Sequence, residues 1–178
     1  MLNLLFITLR WTSILLSLSS DPAEDQFGQE VQWRKFSSKP FVLVIADRSA
    51  SELAVQIGAV LHIQFNGVDQ PAQEHLLVTN QNERLKVIPV AALPYVPGIF
   101  KWLFRKGFRS EAKTGVILDW DNRIARLCGY QEGKVRLVLK LPNSEEVFLA
   151  DVNSPTTALS FIKAQFPSTT EPERIPQK

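Results

Sequence analysis

Continuous apolar runs and helical apolar stripes follow one another along this chain, and the runs predict the strands of a sheet. Phe41 to Ala46 is an unbroken run of β-branched and large residues, and Leu85 to Leu93 is a second, mostly apolar one. Such runs are typical of strands that are covered by helices on both faces. Shorter runs predict further strands at Val116 to Leu118, Val135 to Leu141 and Glu146 to Val152.

Between these strands apolar residues recur at the helical spacing of three or four. The first stripe consists of Leu53, Ile57, Val60, Leu61 and Phe65, after which Asn66-Gly67 ends the helix. Further helices are predicted from about Ile99 to Ala112, from Asp121 to Cys128 with Asp119 or Asp121 as its cap, and from Ser154-Pro155 onward. The alternation of Val31, Trp33 and Phe36 predicts an edge strand before the first core strand.

This order predicts an α/β fold with a central mixed β-sheet and helices on both faces. One domain over residues 27–166 accounts for the pattern, and the polar residues 68–84 are expected to form a surface insertion. Residues 167–178 contain three prolines and little to bury, so we expect a flexible tail.

Residues 1–20 have the pattern of a signal peptide or an N-terminal anchor. Leu2 to Leu18 is almost wholly apolar with Arg10 as its one charge, and Ser17-Leu18-Ser19 supplies a small-x-small cleavage signal. The segment before the apolar run contains no Lys or Arg, so its positive end is the α-amino group. We therefore expect an exported protein, periplasmic or membrane-associated.

The charges of the chain are nearly balanced, and its metal-ligating residues are few. Twenty basic against eighteen acidic side chains leave +2, which does not favour nucleic acid as a partner. Cys128 is the single cysteine, so no intrachain disulfide or multi-cysteine metal site can form. His62 and His75 match no common ligand spacing. We expect no metal and no cofactor.

The turn after the first core strand contains the first candidate site: Asp47, Arg48, Ser49, Ser51 and Glu52. Ser49 and Glu52 have the spacing of a capping box, in which each side chain bonds the other's backbone amide. Ser49 is not expected to be a nucleophile, because His62 lies roughly 20 Å along the helix. The alternative use of this turn is to bind a small anion between its amides and Arg48.

The predicted helix 99–112 is basic and amphipathic. From Pro97 to Lys113 five basic side chains stand against one acidic, which gives +4 where the whole chain has +2. One arc holds Phe100, Leu103, Phe104 and Phe108, and the other holds Lys101, Trp102, Arg105, Lys106 and Arg109. Either the aromatic arc packs on the sheet as in an ordinary helix, or the helix binds an acidic protein or an anionic membrane surface.

Two stretches resemble the thioredoxin fold in its peroxiredoxin-like form. Pro40 to Glu52 is similar to the strand, turn and helix in which thioredoxins carry their CxxC motif, and Gly115 to Leu149 resembles the peroxiredoxin strand, short helix and hairpin. The chain also resembles the YtfJ-type family of exported bacterial proteins, which lack the cysteine pair, at Asp47 to Ser51 and at Pro97-Gly98-Ile99-Phe100.

These resemblances imply a thioredoxin-like domain that has no nucleophile at its active-site turn. Arg136 takes the place near which thioredoxins have a cis-proline and peroxiredoxins an arginine, so it either faces the same groove or points to solvent. The implied function is a non-catalytic module that binds a protein or a small anionic ligand. The alternative is a thiol-dependent peroxidase or oxidoreductase that uses Cys128, which we otherwise expect in the core.

Overall fold

The computed structural model of the protein describes residues 7–10, 23–36, 38–67, 84–111 and 115–166. The predicted insertion at 68–84 lies outside these ranges apart from residue 84, as does the predicted tail at 167–178. Most of the predicted targeting segment lies outside them as well. Its residues Ile7–Arg10 form a strand, β1, and the targeting role of the segment stays a prediction.

Seven strands of the described residues form one mixed sheet in the order β1-β7-β6-β3-β4-β5-β2. Their bounds are β1 Ile7–Arg10, β2 Glu24–Asp25, β3 Phe41–Ala46, β4 Lys86–Leu93, β5 Ile117–Trp120, β6 Val135–Lys140 and β7 Glu146–Val152. The strands β3, β4 and β5 are parallel, whereas β6, β7, β1 and β2 pair antiparallel with their neighbours. The predicted α/β class with a mixed sheet is confirmed.

Four α-helices complete the described fold: α1 Ser51–Asn66, α2 Gly98–Glu111, α3 Arg123–Leu127 and α4 Pro155–Gln165. The helices α1 and α4 cover one face of the sheet. Ile57 and Leu61 of α1 and Phe161 of α4 pack there with Val42 and Val44 of β3. The period of two along β3 then directs Leu43 and Ile45 to the opposite face.

That opposite face is covered by α3 and by a 3-10 helix over Trp33–Phe36. Ile124, Ala125 and Cys128 pack there in one cluster with Leu43 and Ile45. All six side chains of β3 are buried, as the apolar run predicted, because both faces carry helices. The prediction of helices on both faces is therefore confirmed.

The edge strand predicted around Val31, Trp33 and Phe36 is wrong. These three side chains are buried, but the backbone over Trp33–Phe36 is helical. A helical turn brings Trp33 and Phe36 to the same side, where their rings meet edge to face and Phe36 meets Phe41. The prediction that these side chains are buried is therefore correct, whereas the predicted extended backbone is not.

The ends of α1 and α4 follow their local sequence. Gly67 has a φ of 86° immediately after Asn66, which is a backbone conformation that glycine adopts without strain. The Asn66 side chain donates to the carbonyl of Leu85 at 2.9 Å and accepts from the amide of Arg84 at 2.9 Å, which fixes the end of α1 beside β4. Ser154 caps α4, where its hydroxyl accepts from the amide of Thr157.

Leu61→Ala is expected to lower the free energy of unfolding by about 2–5 kcal/mol, because the side chain is fully buried between α1 and the sheet. Urea denaturation followed by far-UV circular dichroism measures this change. Val55→Ala on the same helix is the control: its side chain is 72% exposed, so we expect a change within about 0.5 kcal/mol. Equal losses in the two variants would contradict the packing of α1.

Candidate functional site

The turn between β3 and α1 is closed by the carboxylate of Asp47. One carboxylate oxygen accepts from the amide of Ser49 at 2.9 Å, from its hydroxyl at 2.6 Å and from the amide of Ala50 at 3.1 Å. The other accepts from the amide of Gly133 at 2.8 Å, in the loop that leads into β6. We call this carboxylate with its four donors the Asp47 clamp. It joins two loops that are 86 residues apart in sequence.

The capping box predicted for Ser49 and Glu52 is not formed. The helix begins at Ser51 after Ala50, without a hydrogen bond from a side-chain cap. Ser49 donates its hydroxyl to Asp47 instead of accepting from Glu52. Asp47 accepts these hydrogen bonds in place of Glu52, because it lies two and three residues before the amides of Ser49 and Ala50. This is the spacing of an Asx-turn. The carboxylate also makes a charge-assisted bond, which is stronger than a neutral one.

Tyr130 completes the contact between the turn and the loop before β6. Its hydroxyl accepts from the backbone amide of Asp47 at 2.9 Å. Burial raises the pKa of the Tyr130 hydroxyl to about 12, so it stays protonated. Burial also raises the pKa of Asp47, but the hydrogen bonds that it accepts outweigh this and lower the pKa to about 2. Asp47 is therefore a fixed negative charge at neutral pH.

The other residues of the turn are exposed. Arg48 and Glu52 make no hydrogen bond with their side chains among the described residues, and the Ser51 hydroxyl donates to the carbonyl of Arg48 at 2.8 Å. A small anion here would meet the Asp47 carboxylate, which already occupies the amides of Ser49 and Ala50. The geometry therefore disfavours the predicted use of these amides as an anion site.

Arg136 is buried, which excludes the alternative in which it points to solvent. Its guanidinium donates to both carboxylate oxygens of Asp151, at 2.8 and 3.0 Å. It also donates to the backbone carbonyl of Cys128 at 2.9 Å. Three directed bonds hold this side chain under Gly129, where an added Cβ would lie 3.4 Å from it. Arg136 is a structural tie between β6, β7 and the end of α3.

Cys128 lies in the core, as predicted, with 1% of its surface exposed. Burial raises the pKa of its thiol to about 12; the Asp119 carboxyl raises it further and Arg136 opposes this. The thiolate is the nucleophilic form of cysteine, and it is negligible at neutral pH under these conditions. The sulfur is also out of reach of a substrate in solution.

Asp119 caps α3, as one of the two predicted alternatives, and Asp121 does not. One Asp119 oxygen accepts from the amide of Ile124 at 2.9 Å and the other from the amide of Ala125 at 2.8 Å. Burial nevertheless raises the pKa of Asp119 to about 6, against the lowering effect of these bonds. Asp121 and Asn122 both have positive φ, at 63° and 54°, and form the turn that brings α3 back over Asp119.

The helix α2 is oriented differently from the prediction, in that three of its cations face the protein. Arg105 donates to Glu24 of β2 at 2.5 Å, and the ammonium of Lys101 lies 4.9 Å from the centre of the Trp120 ring. Arg109 donates to the carbonyl of Gln26 at 2.9 Å. The indole of Trp120 also donates to Glu24. Carboxylate and aromatic partners on the sheet edge thus hold Lys101 and Arg105 of the predicted basic arc against the protein, whereas Trp102 and Lys106 of the same arc are exposed.

The apolar side chains of α2 are correspondingly turned outward. Trp102 is 61% exposed and Ile99 73% exposed, with Phe100 and Leu103 each about half exposed. Ile99, Trp102 and Leu103 have the i, i+3, i+4 spacing of one helix face. We call Ile99, Phe100, Trp102 and Leu103 the α2 stripe. The other end of the predicted aromatic arc meets the protein: Phe108 packs against the cluster of Leu93, Val116 and Leu118, and the partly exposed Phe104 meets Trp120 edge to face.

Several residues of these sites were missed by the sequence reasoning. Tyr130 and Gly133 lie far from the turn in sequence, as does Asp151 from Cys128 and Glu24 from α2. No local pattern marks such pairs, which only the sheet topology brings together. Asp47 was the exception: Asp-x-Ser at the end of a strand is the signature of an Asx-turn and could have identified the clamp.

The stability contributed by Asp47 is expected to be lost in acid. Because the folded pKa is lowered to about 2 from 3.8, the contribution is present above pH 4 and lost as the pH falls through 2. Asp47→Asn should be less stable at neutral pH and lose this acid-dependent part. Urea midpoints between pH 2 and pH 5 measure it, and Glu52→Gln, an exposed neighbour in the turn, should keep the wild-type slope. The same slope in Asp47→Asn would contradict the clamp.

The stability contributed by Asp119 is expected to be present in acid and to be lost at higher pH, which is the opposite of the dependence expected for Asp47. The folded pKa of Asp119 is raised to about 6 from 3.8, so its contribution is present below pH 4 and lost as the pH rises through 6. In Asp119→Asn the urea midpoint should be lower at pH 4 and change less from pH 4 to pH 7. A wild-type slope in this variant would assign the pH dependence to another group.

Comparison with known proteins finds no family model that matches the chain and no matching curated protein.

Among the residues described, no three or more His, Cys, Asp or Glu side chains are grouped so as to hold a metal ion. None of the described helices has both the length and the apolar character required to cross a bilayer.

Solved structures do match: 46 chains show significant similarity. The pneumococcal exposed lipoprotein thioredoxin Etrx1 from Streptococcus pneumoniae has a TM-score of 0.54 at 10% identity, covering 80% of this chain and 97% of its own. The MTB dsbF protein has a TM-score of 0.52 at 14% identity, and the match covers 83% of this chain and 96% of that protein. Peroxiredoxin Q from Xanthomonas campestris has a TM-score of 0.52 at 12% identity, and the match covers 80% of this chain and 88% of that protein. At such identities the likeness concerns the fold, and this chain has a thioredoxin-like fold.

Proposed function

We propose that this chain is a non-catalytic thioredoxin-like domain that acts as an exported binding module, with the α2 stripe as its binding surface. The observation that carries the proposal is the Asp47 clamp. The Asp47 carboxylate and three of its four donors, the amide and hydroxyl of Ser49 and the amide of Ala50, occupy the turn in which thioredoxins carry their cysteines. The position therefore has neither the nucleophile nor the free amides that would stabilise one.

The alternative, a thiol-dependent peroxidase or oxidoreductase that uses Cys128, is disfavoured by two independent properties of this residue. Its sulfur is enclosed by the core, and the pKa of its thiol is raised to about 12. A one-cysteine mechanism requires an accessible thiolate near neutral pH, and Cys128 supplies neither condition. Exposing it would require α3 to separate from the sheet.

The α2 stripe supports a binding role because large apolar side chains at an exposed helix face have no structural use there. Soluble monomers rarely expose contiguous apolar patches, and those that do commonly use them for binding. The three cations turned toward the protein fix the helix in this orientation, since each has a defined partner on the sheet edge. The exposure of the stripe is thus a consequence of specific contacts.

Two further parts of the proposal rest on sequence pattern. Export is supported by the apolar segment Leu2 to Leu18 with its small-x-small signal. Membership in the YtfJ-type family is supported by the resemblance at Asp47 to Ser51 and at Pro97 to Phe100. Both agree with a thioredoxin-like domain that has no cysteine at its active-site turn.

The native protein is expected to show no reactive thiol and no thiol-dependent turnover. Ellman's reagent should label less than about a tenth of the chains in the native state and one thiol per chain in denaturant, because Cys128 is enclosed. Insulin reduction and peroxide consumption with a thiol donor should equal the background rate. Rapid native labelling together with turnover that Cys128→Ala abolishes would overturn the proposed function.

A further inference from the structure

The geometry points to an anionic bilayer surface as the partner of the α2 stripe, which would insert its apolar side chains at the level of the lipid headgroups. This inference rests on the proposed function, in which the stripe is the binding surface, and it names the class of partner. It follows from the exposure of the stripe, from the cations next to it and from the like-charge repulsion that two copies of the chain would meet.

The stripe projects from the protein rather than lining a groove. A side chain in a groove is shielded by the opposite wall, whereas Trp102 and Ile99 have most of their surface in solvent. Tyr95, three residues before the helix, is 77% exposed as well. Tryptophan and tyrosine are the residues enriched at membrane interfaces, because their rings are apolar and their tips are polar. A projecting apolar helix fits a soft, flat surface.

Unneutralised cations accompany the stripe. Lys106 follows Ile99, Trp102 and Leu103 at the next position of the same face and is exposed. Within the described ranges, Lys106 has no carboxylate within ion-pair distance, in contrast to Arg105, which pairs with Glu24. Arg109 has no carboxylate partner there either, and it remains exposed although it donates one hydrogen bond to the carbonyl of Gln26. Anionic headgroups would supply the missing negative charge while the acyl chains cover the stripe.

The same charges disfavour a second copy of this chain as the partner. Two α2 stripes placed face to face would bring Lys106 and Arg109 of each copy toward the same cations of the other, and like charges across an interface oppose association. A protein partner would need a concave apolar surface with an acidic rim, whereas a bilayer offers both properties without a matched shape. We therefore commit to the bilayer and treat a second copy as an outcome of the test.

A site-specific probe can test this in the full chain because Cys128 is enclosed. Leu103→Cys, labelled with the environment-sensitive fluorophore NBD, reports on the α2 stripe alone. Val55→Cys, labelled in the same way, is the matched control on an exposed apolar position of α1. Both are mixed with vesicles of phosphatidylglycerol and phosphatidylcholine, and separately with vesicles of phosphatidylcholine only. Binding is measured in parallel by sedimentation of the vesicles.

On anionic vesicles NBD at position 103 is expected to shift to shorter wavelength and brighten about threefold, whereas NBD at position 55 stays unchanged. Trp102→Ser should lower the partition coefficient of the chain about tenfold, because interfacial insertion depends on buried apolar area. Lys106→Glu should lower it on anionic vesicles more than on neutral ones, and added salt should weaken the anionic binding of the wild type.

Three results would overturn the inference. The probe at position 103 could stay in water while the chain sediments with vesicles, which would assign the binding to another segment such as residues 1–20. The signal could change with protein concentration in the absence of lipid, which would identify a second copy as the partner. The chain could bind neutral and anionic vesicles equally well, which would exclude attraction between its cations and anionic headgroups. None of these results makes Cys128 reactive, so the non-catalytic assignment would stand or fall separately.

Discussion

The Asp47 carboxylate holds together the turn between β3 and α1 and the loop that leads into β6. The chain leaves β3, turns and begins α1 within five residues, and the amides of that turn point toward one spot that needs an acceptor. Asp47 supplies it from within the turn and uses its remaining oxygen for Gly133. A loop that is remote in sequence is thereby fixed against the start of α1. Tyr130 strengthens the same contact from the other direction, because its hydroxyl accepts the amide of Asp47.

Much of this arrangement was predictable where the physics is local. The buried run of β3 and the helical stripe of α1 specify their own structure, because burial on two faces and burial along one helix face leave different patterns. The hairpin from β6 to β7 and the Ser154 cap of α4 follow from turn and cap chemistry in the same way. The three apolar residues Val31, Trp33 and Phe36 fit either period, and the packing of Phe36 against Phe41 favours the helical turn.

The site itself was predicted less well, because its contacts join residues that are far apart in the chain. The capping box and the Asp47 clamp compete for the amide and the hydroxyl of Ser49, and the clamp also bonds Gly133, which is remote in sequence. The orientation of α2 is a similar case: its helical wheel gives two arcs but does not say which faces the sheet. Glu24 and Trp120 decide that, since they offer the cations an ion pair and an aromatic face.

The enclosure of Cys128 has a consequence for the whole molecule. In redox-active thioredoxins the stability of the fold and the ambient thiol potential are linked, because oxidation makes or breaks a bond inside the domain. In this chain the one thiol is packed between α3 and the sheet with its proton firmly held. The folded domain therefore has the same covalent structure under a reducing or an oxidising glutathione poise, and nothing in its fold would have to change as it crossed from one compartment into another.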